Sequence, residues 1–212
     1  MGIKLKLCGM RRRQDIDYVN EYRPDYVGFI LSDGFRRSVG LGTFCELASC
    51  LDKGIKRVGV FVNEPIENLL KYYPEELDVF QLHGGEDEKY IEQLRGNIPE
   101  SCEIWKAVRV KSTNHIERWN GSAADKLLLD AFQEGTVGGT GKTADWDLIK
   151  AAKIEKSFFA AGGINAGNFI EAATTLNPYG IDLSGGIETD GVKDKAKIAE
   201  IIRLKNKINE ER

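Results

Sequence analysis

The sequence has few residues of the types that build metal sites or disulfide frameworks. It contains only two histidines and four cysteines, and none of the cysteines forms a CxxC pair. Zinc ligands and redox pairs recur at short, regular spacings, and here the histidines and cysteines are too scattered for that. We therefore expect no metal, no disulfide and no cofactor. Free cysteines also suit a reducing compartment.

Long apolar runs and an excess of basic charge are also missing. The first residues, "MGIKLKLCGM", do not form the apolar core of a signal peptide, and no stretch of eighteen uncharged apolar residues occurs. The net charge is −3 and the isoelectric point lies near 5.6. These features predict a cytoplasmic protein that binds neither a membrane nor the backbone of nucleic acid. They do not bear on the oligomeric state.

A segment that ends in Gly-Lys-Thr, "EGTVGGTGKT" at residues 134–143, looks at first like a phosphate-binding P-loop. A P-loop needs a glycine five positions before the Gly-Lys pair, but Thr136 occupies that position and Gly135 is one residue out of register. A nucleotide-cleaving P-loop is therefore not indicated. Closely spaced glycines beside a hydroxyl can still present backbone N–H groups to an anion.

Short apolar runs alternate with segments of helical periodicity along the whole chain, without an obvious linker. The predicted strands are 3–9, 25–31, 55–62, 78–84, 103–110, 126–132, 157–163 and 180–186. We place helices at 43–54, with Thr43 as N-cap and Gly54 after the end, and at 165–177, with Asn165 as N-cap. A C-terminal helix carries Ile198, Ile201, Ile202 and Ile208 on its apolar face.

Eight strand-helix units of about 26 residues each approach the smallest size at which a (β/α)8 barrel closes. An open doubly wound sheet is the alternative. The barrel is favoured because no GxGxxG follows the first strand, and because polar or glycine-rich residues repeatedly end the strands. We predict an α/β fold, a single-domain (β/α)8 TIM barrel that spans residues 1–212.

Glycine-rich turns follow the last three predicted strands, as "GGTGKT", "AGGIN" and "LSGGIE". Barrel enzymes commonly bind phosphate with the loops after strands 7 and 8. We therefore predict a small phosphorylated substrate. The residues expected to bind its phosphate are Gly139, Thr140, Gly141, Gly162, Gly163, Ser184, Gly185 and Gly186.

The motifs "KLCGM", "QLHGGE", "LLLDA", "GGTGKTADW", "AGGI" and "DLSGGIE" occur in the order found in one family. The chain resembles phosphoribosylanthranilate isomerases, (β/α)8 enzymes of tryptophan biosynthesis that perform an Amadori rearrangement. The resemblance implies Cys8 as general base and Asp130 as general acid. It departs from the family at Phe35–Val39, where Ser-Pro-Arg is usual, and at Ser-Gly-Gly in the last loop, where Ser-Ser-Gly is common.

Further substrate contacts are expected from three side chains. Arg37 aligns with the family's arginine and is predicted to pair with the anthranilate carboxylate, with Arg36 as the alternative. Gln81 and His83 lie near the end of the fourth predicted strand, both are candidate substrate-binding residues, and we expect one of them to position the substrate. We expect Arg11–Arg13 to form a mainly solvated face, His115 to lie on the surface, and Cys45, Cys50 and Cys102 to be packing residues.

Two other functions compete with this one. A related histidine-pathway isomerase would carry an aspartate in place of Cys8 and a two-fold internal repeat, and neither is present. A non-catalytic nucleotide-binding module would use "GGTGKT" without needing Cys8 or Asp130.

Overall fold

A computed structural model of the chain describes residues 2–72, 77–130 and 146–211. Its eight parallel strands follow one another in chain order as a closed barrel. The strands are β1 (Lys4–Cys8), β2 (Tyr26–Ile30), β3 (Lys56–Phe61), β4 (Val79–Leu82), β5 (Glu103–Arg109), β6 (Lys126–Asp130), β7 (Phe158–Ala161) and β8 (Gly180–Leu183). The predicted (β/α)8 fold is confirmed.

Helices lie between the strands and after the last one. The α-helices of the described residues are α1 (Arg13–Tyr22), α2 (Leu41–Ser49), α3 (Ile66–Leu69), α4 (Glu88–Arg95), α5 (Thr113–Glu117), α6 (Trp146–Ala151), α7 (Phe169–Leu176) and α8 (Lys195–Glu211). Short 3-10 helices occur at Leu70–Tyr72 and Gly185–Ile187, and an antiparallel pair joins β9 (Glu188–Thr189) to β10 (Val192–Lys193). The sequence did not predict this small hairpin.

Each predicted strand contains an observed one, but the observed strands are shorter. Strand β7 shows the reason. The predicted strand includes Gly162 and Gly163, but these residues have φ angles of 88° and 68°. A strand needs extended backbone, so β7 ends at Ala161. Residues 131–132 of the sixth predicted strand lie outside the described residues.

Two predicted helix starts are wrong. Helix α2 begins at Leu41 with Gly40 as N-cap, so Thr43 lies inside its first turn, and the helix ends well before Gly54. Helix α7 begins at Phe169 with Asn168 as N-cap. Asn165 instead donates its backbone N–H to the side-chain oxygen of Asn168, at 2.8 Å. In both cases, several residues near the start were chemically able to cap the helix.

The buried face of α8 follows the predicted period with one change. Ile198, Ile201 and Ile208 are buried, as predicted, together with Leu204, whereas Ile202 is only partly buried. The spacing 198, 201, 204 and 208 is that of a single apolar stripe on a helix.

The chain groups into two compact units. The first unit comprises Lys6–Ala107 and Ser122–Lys126, and the second comprises Met1–Leu5, Val108–Gly121 and Leu127–Arg212. In the first unit, β1 to β5 pair in parallel, with Cys8 opposite Gly28 and Gln81 opposite Trp105. In the second, β6, β7 and β8 pair in parallel, with Asp130 opposite Ala161. A single domain over residues 1–212 stays a prediction.

Among the described residues, no helix combines the length and the apolar character needed to cross a membrane.

Candidate active site

The inner face of the sheet in the first unit can be identified from one aromatic contact. The ring centroids of Tyr26 on β2 and Trp105 on β5 lie 4.9 Å apart, although these strands are not neighbours. Two such side chains can meet only on the inner side of a curved sheet. Because Lys6 is paired with Tyr26 and side chains alternate along a strand, Lys6 and Cys8 also point inward.

Cys8 is the last residue of β1 and is 6% exposed. Its Sγ lies over Gly28, where a Cβ atom would be only 2.7 Å from the sulfur. Gly28 therefore provides the space that the thiol occupies. Gly9, with φ at 83°, turns the chain away immediately after Cys8, and its N–H donates to the Gly28 carbonyl at 2.8 Å. Cys8 thus ends a strand at a tightly held turn.

Lys6 is a neighbour of Cys8 that the sequence reasoning missed. It is fully buried, and its Nζ would be 3.1 Å from the same Cβ position on Gly28. Because Lys6 Nζ and Cys8 Sγ both lie within about 3 Å of the same Cβ position, the two atoms are close to each other. A buried amino group therefore lies beside the sulfur. The alternation in "KLKLC" was a signal that could have revealed this pair.

Gln81 and His83 are brought together at the end of β4. Gln81 Nε2 lies 2.8 Å from His83 Nδ1, while Gln81 itself is 1% exposed. Among the described residues, the Oε1 atom of Gln81 has no hydrogen-bond partner although it is buried. Because Gln81 is in register with Trp105, this acceptor lies on the inner face. A buried amide oxygen that lacks a hydrogen-bond donor is suited to accept a hydrogen bond from a ligand.

The loop that follows β4 is held by a buried ion pair, which the sequence reasoning also missed. Lys106 Nζ donates to Glu86 Oε2 at 2.7 Å and to the Gly84 carbonyl at 2.8 Å. The Glu86 carboxylate also accepts the N–H groups of Asn63 and Gly84, at 2.7 and 2.9 Å. The two side chains are 3% and 1% exposed. The glutamate of "QLHGGE" is therefore structural.

The two candidate arginines lie in the loop after β2. Arg36 is exposed and Arg37 is partly buried. The loop is closed by Ser38, whose hydroxyl donates to the Ser32 carbonyl at 2.5 Å and accepts the Phe35 N–H at 3.1 Å. The Arg36 carbonyl accepts a hydrogen bond from Arg11 at 3.2 Å. These contacts hold the backbone of the loop that carries both arginines.

In the second unit, Asp130 is the last residue of β6 and is partly buried. Its backbone carbonyl accepts the N–H of Val110 at 3.1 Å. The strand pairing with Ala161 places Asp130 level with the end of β7. The backbone of Asp130 is therefore fixed by strand pairing beside the residue that precedes the glycine turn after β7.

The glycine turns after β7 and β8 contact each other. A Cβ atom on Gly186 would overlap the carbonyl oxygen of Ile164 and come within 3.0 Å of Asn165 Cα. Only glycine allows this approach. At Gly163, by contrast, a Cβ atom would meet none of the described residues within 4 Å. The third predicted turn, with Gly139, Thr140 and Gly141, lies outside the described residues.

The other sequence expectations have mixed outcomes. Cys102 is buried, and its Sγ donates to the Leu77 carbonyl at 3.4 Å; burial raises the pKa of this thiol. Cys45 is exposed and Cys50 only partly buried, so their assignment as packing residues is wrong. The structure also corrects the expected solvated arginine face. Arg13 is exposed, but Arg12 is bound to the buried carboxylate of Asp15 at 2.6 Å.

His115 is partly buried rather than fully exposed, and its Nδ1 lies 2.8 Å from the Arg109 carbonyl. Over residues 2–72, 77–130 and 146–211, no three His, Cys, Asp or Glu side chains cluster as metal ligands would.

Comparison with known proteins places this geometry in a family. Residues 5–204 match the family model described as "N-(5'phosphoribosyl)anthranilate (PRA) isomerase". Curated relatives named N-(5'-phosphoribosyl)anthranilate isomerase include one from Thermoanaerobacter, 40% identical over 94% of this chain and 96% of its own length. Another, from Clostridium acetobutylicum, is 42% identical over the same shares of both chains.

Solved structures agree with the sequence comparison. The phosphoribosyl anthranilate isomerase of Thermus thermophilus is similar with a TM-score of 0.81 and 28% identity, over 97% of this chain and 99% of that one. A second, solved in complex with reduced 1-(o-carboxyphenylamino)-1-deoxyribulose 5-phosphate, has a TM-score of 0.78 and 26% identity, over 97% and 99% of the two chains. The chain therefore belongs to the N-(5'-phosphoribosyl)anthranilate isomerase family, and the predicted enzyme class, an isomerase of tryptophan biosynthesis, is confirmed.

Proposed function

We propose that this chain converts N-(5-phosphoribosyl)anthranilate to 1-(o-carboxyphenylamino)-1-deoxyribulose 5-phosphate, with Asp130 as general acid and Cys8 as general base. The observation that carries the proposal is the family match over residues 5–204. Relatives about 40% identical over nearly their whole length bear that enzyme name. The two competing functions have no comparable observation in their favour.

The reaction needs one proton donated and one removed. Asp130 in its protonated form gives a proton to the ribose ring oxygen, the C1′–O bond breaks, and the nitrogen lone pair forms a Schiff base. A base then removes the proton from C2′, and the electron pair moves toward nitrogen to give an enolamine. Tautomerisation of the enolamine yields the aminoketone. The net change is an isomerisation, so no oxidant, metal or cofactor enters the balance.

Cys8 suits the role of base because of its surroundings. It ends a strand on the inner face, where barrel enzymes carry their catalytic residues. The thiolate form of a cysteine is the reactive one, and an ordinary thiol with a pKa of about 8.5 is mostly protonated at neutral pH. The buried amino group of Lys6 shares the space over Gly28 with Sγ.

Asp130 suits the role of acid because it is the last residue of β6, and barrel enzymes carry their catalytic residues at the carboxyl ends of the strands. The phosphate of the substrate is assigned to backbone N–H groups of Gly162, Gly163, Ser184, Gly185 and Gly186, with Gly139, Thr140 and Gly141 as further candidates. The open space beside Gly163 is compatible with a ligand there.

The anthranilate end is assigned to polar side chains of the first unit. Arg37, or Arg36 in its place, pairs with the carboxylate, because a guanidinium group binds a carboxylate through two parallel hydrogen bonds. Gln81 positions the substrate through its unpartnered Oε1, and His83 orients the Gln81 amide. The cytoplasmic location and the absence of nucleic-acid and membrane partners remain predictions.

The decisive experiment is a fluorescence assay with the purified chain. Phosphoribosylanthranilate is fluorescent, and its loss reports turnover. We expect turnover without added metal or nucleotide. If a characterised family member consumes the substrate under the same conditions and this chain does not, while it binds ATP, the nucleotide-binding alternative replaces our proposal.

A further inference from the structure

The segment between the β8 turn and helix α8 forms a small, well-defined hairpin. Strands β9 and β10 are joined by Asp190 and Gly191, both with positive φ, at 50° and 77°. Two central residues with positive φ define the turn that suits a two-residue hairpin, and Asp-Gly is a preferred sequence for it. The hairpin begins directly after the 3-10 turn Gly185–Ile187.

A buried ion pair crosses this hairpin and reaches the glycine turn. Glu188 and Lys193 are paired across the two strands, and Lys193 Nζ lies 2.8 Å from Glu188 Oε1. The same Nζ donates to the Ser184 carbonyl at 3.0 Å. The side chains of Lys193 and Glu188 are 1% and 6% exposed. Neither side chain faces solvent, and Lys193 contacts the glycine turn at the Ser184 carbonyl.

The pair is itself tied to helix α8. Lys197 Nζ donates to the Glu188 carbonyl at 2.5 Å, and the Asp194 N–H donates to the Ile187 carbonyl at 2.9 Å. The Asp194 carboxylate also accepts the N–H groups of Ala196 and Lys197 at the start of α8, at 2.8 and 3.1 Å. The turn after β8 is thereby connected to a long helix rather than left as a free loop.

The turn after β8 is also tightly packed on its other side. Gly186 packs against the backbone of Ile164 and Asn165 in the turn after β7, where there is no room for a Cβ atom. The Ser184–Gly186 backbone is therefore held from one side by the Glu188–Lys193 pair and from the other by the neighbouring glycine turn. A small shift of Ser184 would displace the contact between the two turns.

We propose that Lys193 and Glu188 are positioning residues that set the Ser184–Gly186 backbone for binding the substrate phosphate. The inference rests on the proposed function in one respect, the assignment of the phosphate to these turns. Loss of the Lys193 cation removes one hydrogen bond from the Ser184 carbonyl and one cation from the buried Glu188 carboxylate. Because the phosphate is bound in both ground and transition states, the damage should appear as weaker binding rather than slower chemistry.

The test compares Lys193→Met with Lys106→Met. Both substitutions remove a buried lysine that is bound to a glutamate and to the carbonyl of a glycine-rich loop, and they differ in which loop that is. The probe is inorganic phosphate, followed as a competitive inhibitor and by a 31P NMR titration that does not depend on activity. We expect Lys193→Met to weaken phosphate binding about tenfold or more, the scale of one lost charged hydrogen bond. Its KM should rise much more than its kcat falls.

In its folded state, Lys106→Met should leave the phosphate dissociation constant within about twofold of wild type. The double variant Glu188→Gln/Lys193→Met, which removes both charges of the pair, keeps the test possible if the single variant unfolds. Unchanged phosphate binding in a folded Lys193 variant overturns the inference. Failure of wild type to bind phosphate overturns it together with the phosphate assignment. Normal phosphate binding without isomerase activity contradicts the proposed function alone.

Discussion

The two buried cysteines of this chain have different surroundings. Cys8 lies on the inner face beside a buried lysine and over a glycine that leaves room for its sulfur. Cys102 donates its S–H to the Leu77 carbonyl, and burial raises the pKa of its thiol. The residue type alone does not separate a base from a packing residue, and our proposal for Cys8 rests on this difference in surroundings.

This difference supplies a matched pair of substitutions. We expect Cys8→Ala and Asp130→Asn each to lower kcat by about 10² to 10⁴, the usual contribution of a general acid or base. Cys102→Ala removes the same thiol from another buried site and should retain wild-type kcat. The measurements are steady-state kinetics and circular dichroism. Cys8→Ala or Asp130→Asn activity within a few-fold of wild type contradicts the assigned role.

Gly163 allows a second test at the residue scale. A methyl group there would meet none of the described residues, but it would force an L-residue into φ near 68° and extend into the space assigned to phosphate. Gly54, with φ at 101° and equally open surroundings among the described residues, carries the same kind of strain before the start of β3, away from the carboxyl ends of the strands.

We expect Gly163→Ala to raise KM about tenfold or more with a smaller effect on kcat, and Gly54→Ala to change neither. Thermal unfolding of both variants reports the strain itself. Equal KM values in the two variants would place the phosphate elsewhere.

At the scale of elements, the loops after β4 and β8 are held in the same way. In each, a buried lysine binds a glutamate and a backbone carbonyl of a glycine-containing loop: Lys106 with Glu86 and Gly84, and Lys193 with Glu188 and Ser184. Glycine-rich loops gain much conformational freedom when unfolded, so fixed side-chain contacts are needed to order them.

Breaking one such pair should be costly because it leaves a buried carboxylate without its cation. We expect Lys106→Met to lower the free energy of unfolding by roughly 3–5 kcal/mol, and Glu86→Gln/Lys106→Met to cost less than the two single substitutions added together. Denaturant unfolding of the wild type and the three variants forms the cycle. Strict additivity would mean that the two side chains do not act as a pair.

At the scale of the whole molecule, acid stability depends in part on Glu103 at the start of β5. Burial alone would raise the pKa of this carboxyl, but hydrogen bonds from Lys126 and Trp105, with the charges of Lys126 and Lys56, outweigh burial and lower it. Glu103 Oε2 lies 2.5 Å from Lys126 Nζ and 2.6 Å from Trp105 Nε1.

A lowered folded-state pKa adds stability above the ordinary carboxyl value of about 4.3, and this stability is lost as the pH falls below it. We expect the unfolding free energy of wild type to decline below that pH, and Glu103→Gln to show a shallower decline. Denaturant unfolding in a series from pH 7 to pH 3 measures both slopes. Equal slopes would show that Glu103 does not contribute to acid sensitivity.

Local pattern carried most of the information on the fold. The eight apolar runs became strands because each is short, rich in β-formers and bounded by turn residues, and the order of motifs indicated the family. Boundaries were less accurate, since Gly40 and Asn168, rather than Thr43 and Asn165, cap α2 and α7. The N-cap is set by the residue at which the helix begins, and several neighbouring residues in each sequence are of types that can cap a helix.

The sequence by itself determined the alternation of strands and helices and the positions of Cys8 and Asp130 at the ends of their strands, because these follow from periodicity and motif order. Only the tertiary structure decided which charged residues are buried. Lys106 and Glu86 are twenty residues apart, and Lys6 reads as an ordinary surface lysine in the linear sequence. A charge becomes a structural element only when folding removes it from water and provides its partner, and that partner is chosen by the packing of strands rather than by neighbours in the chain.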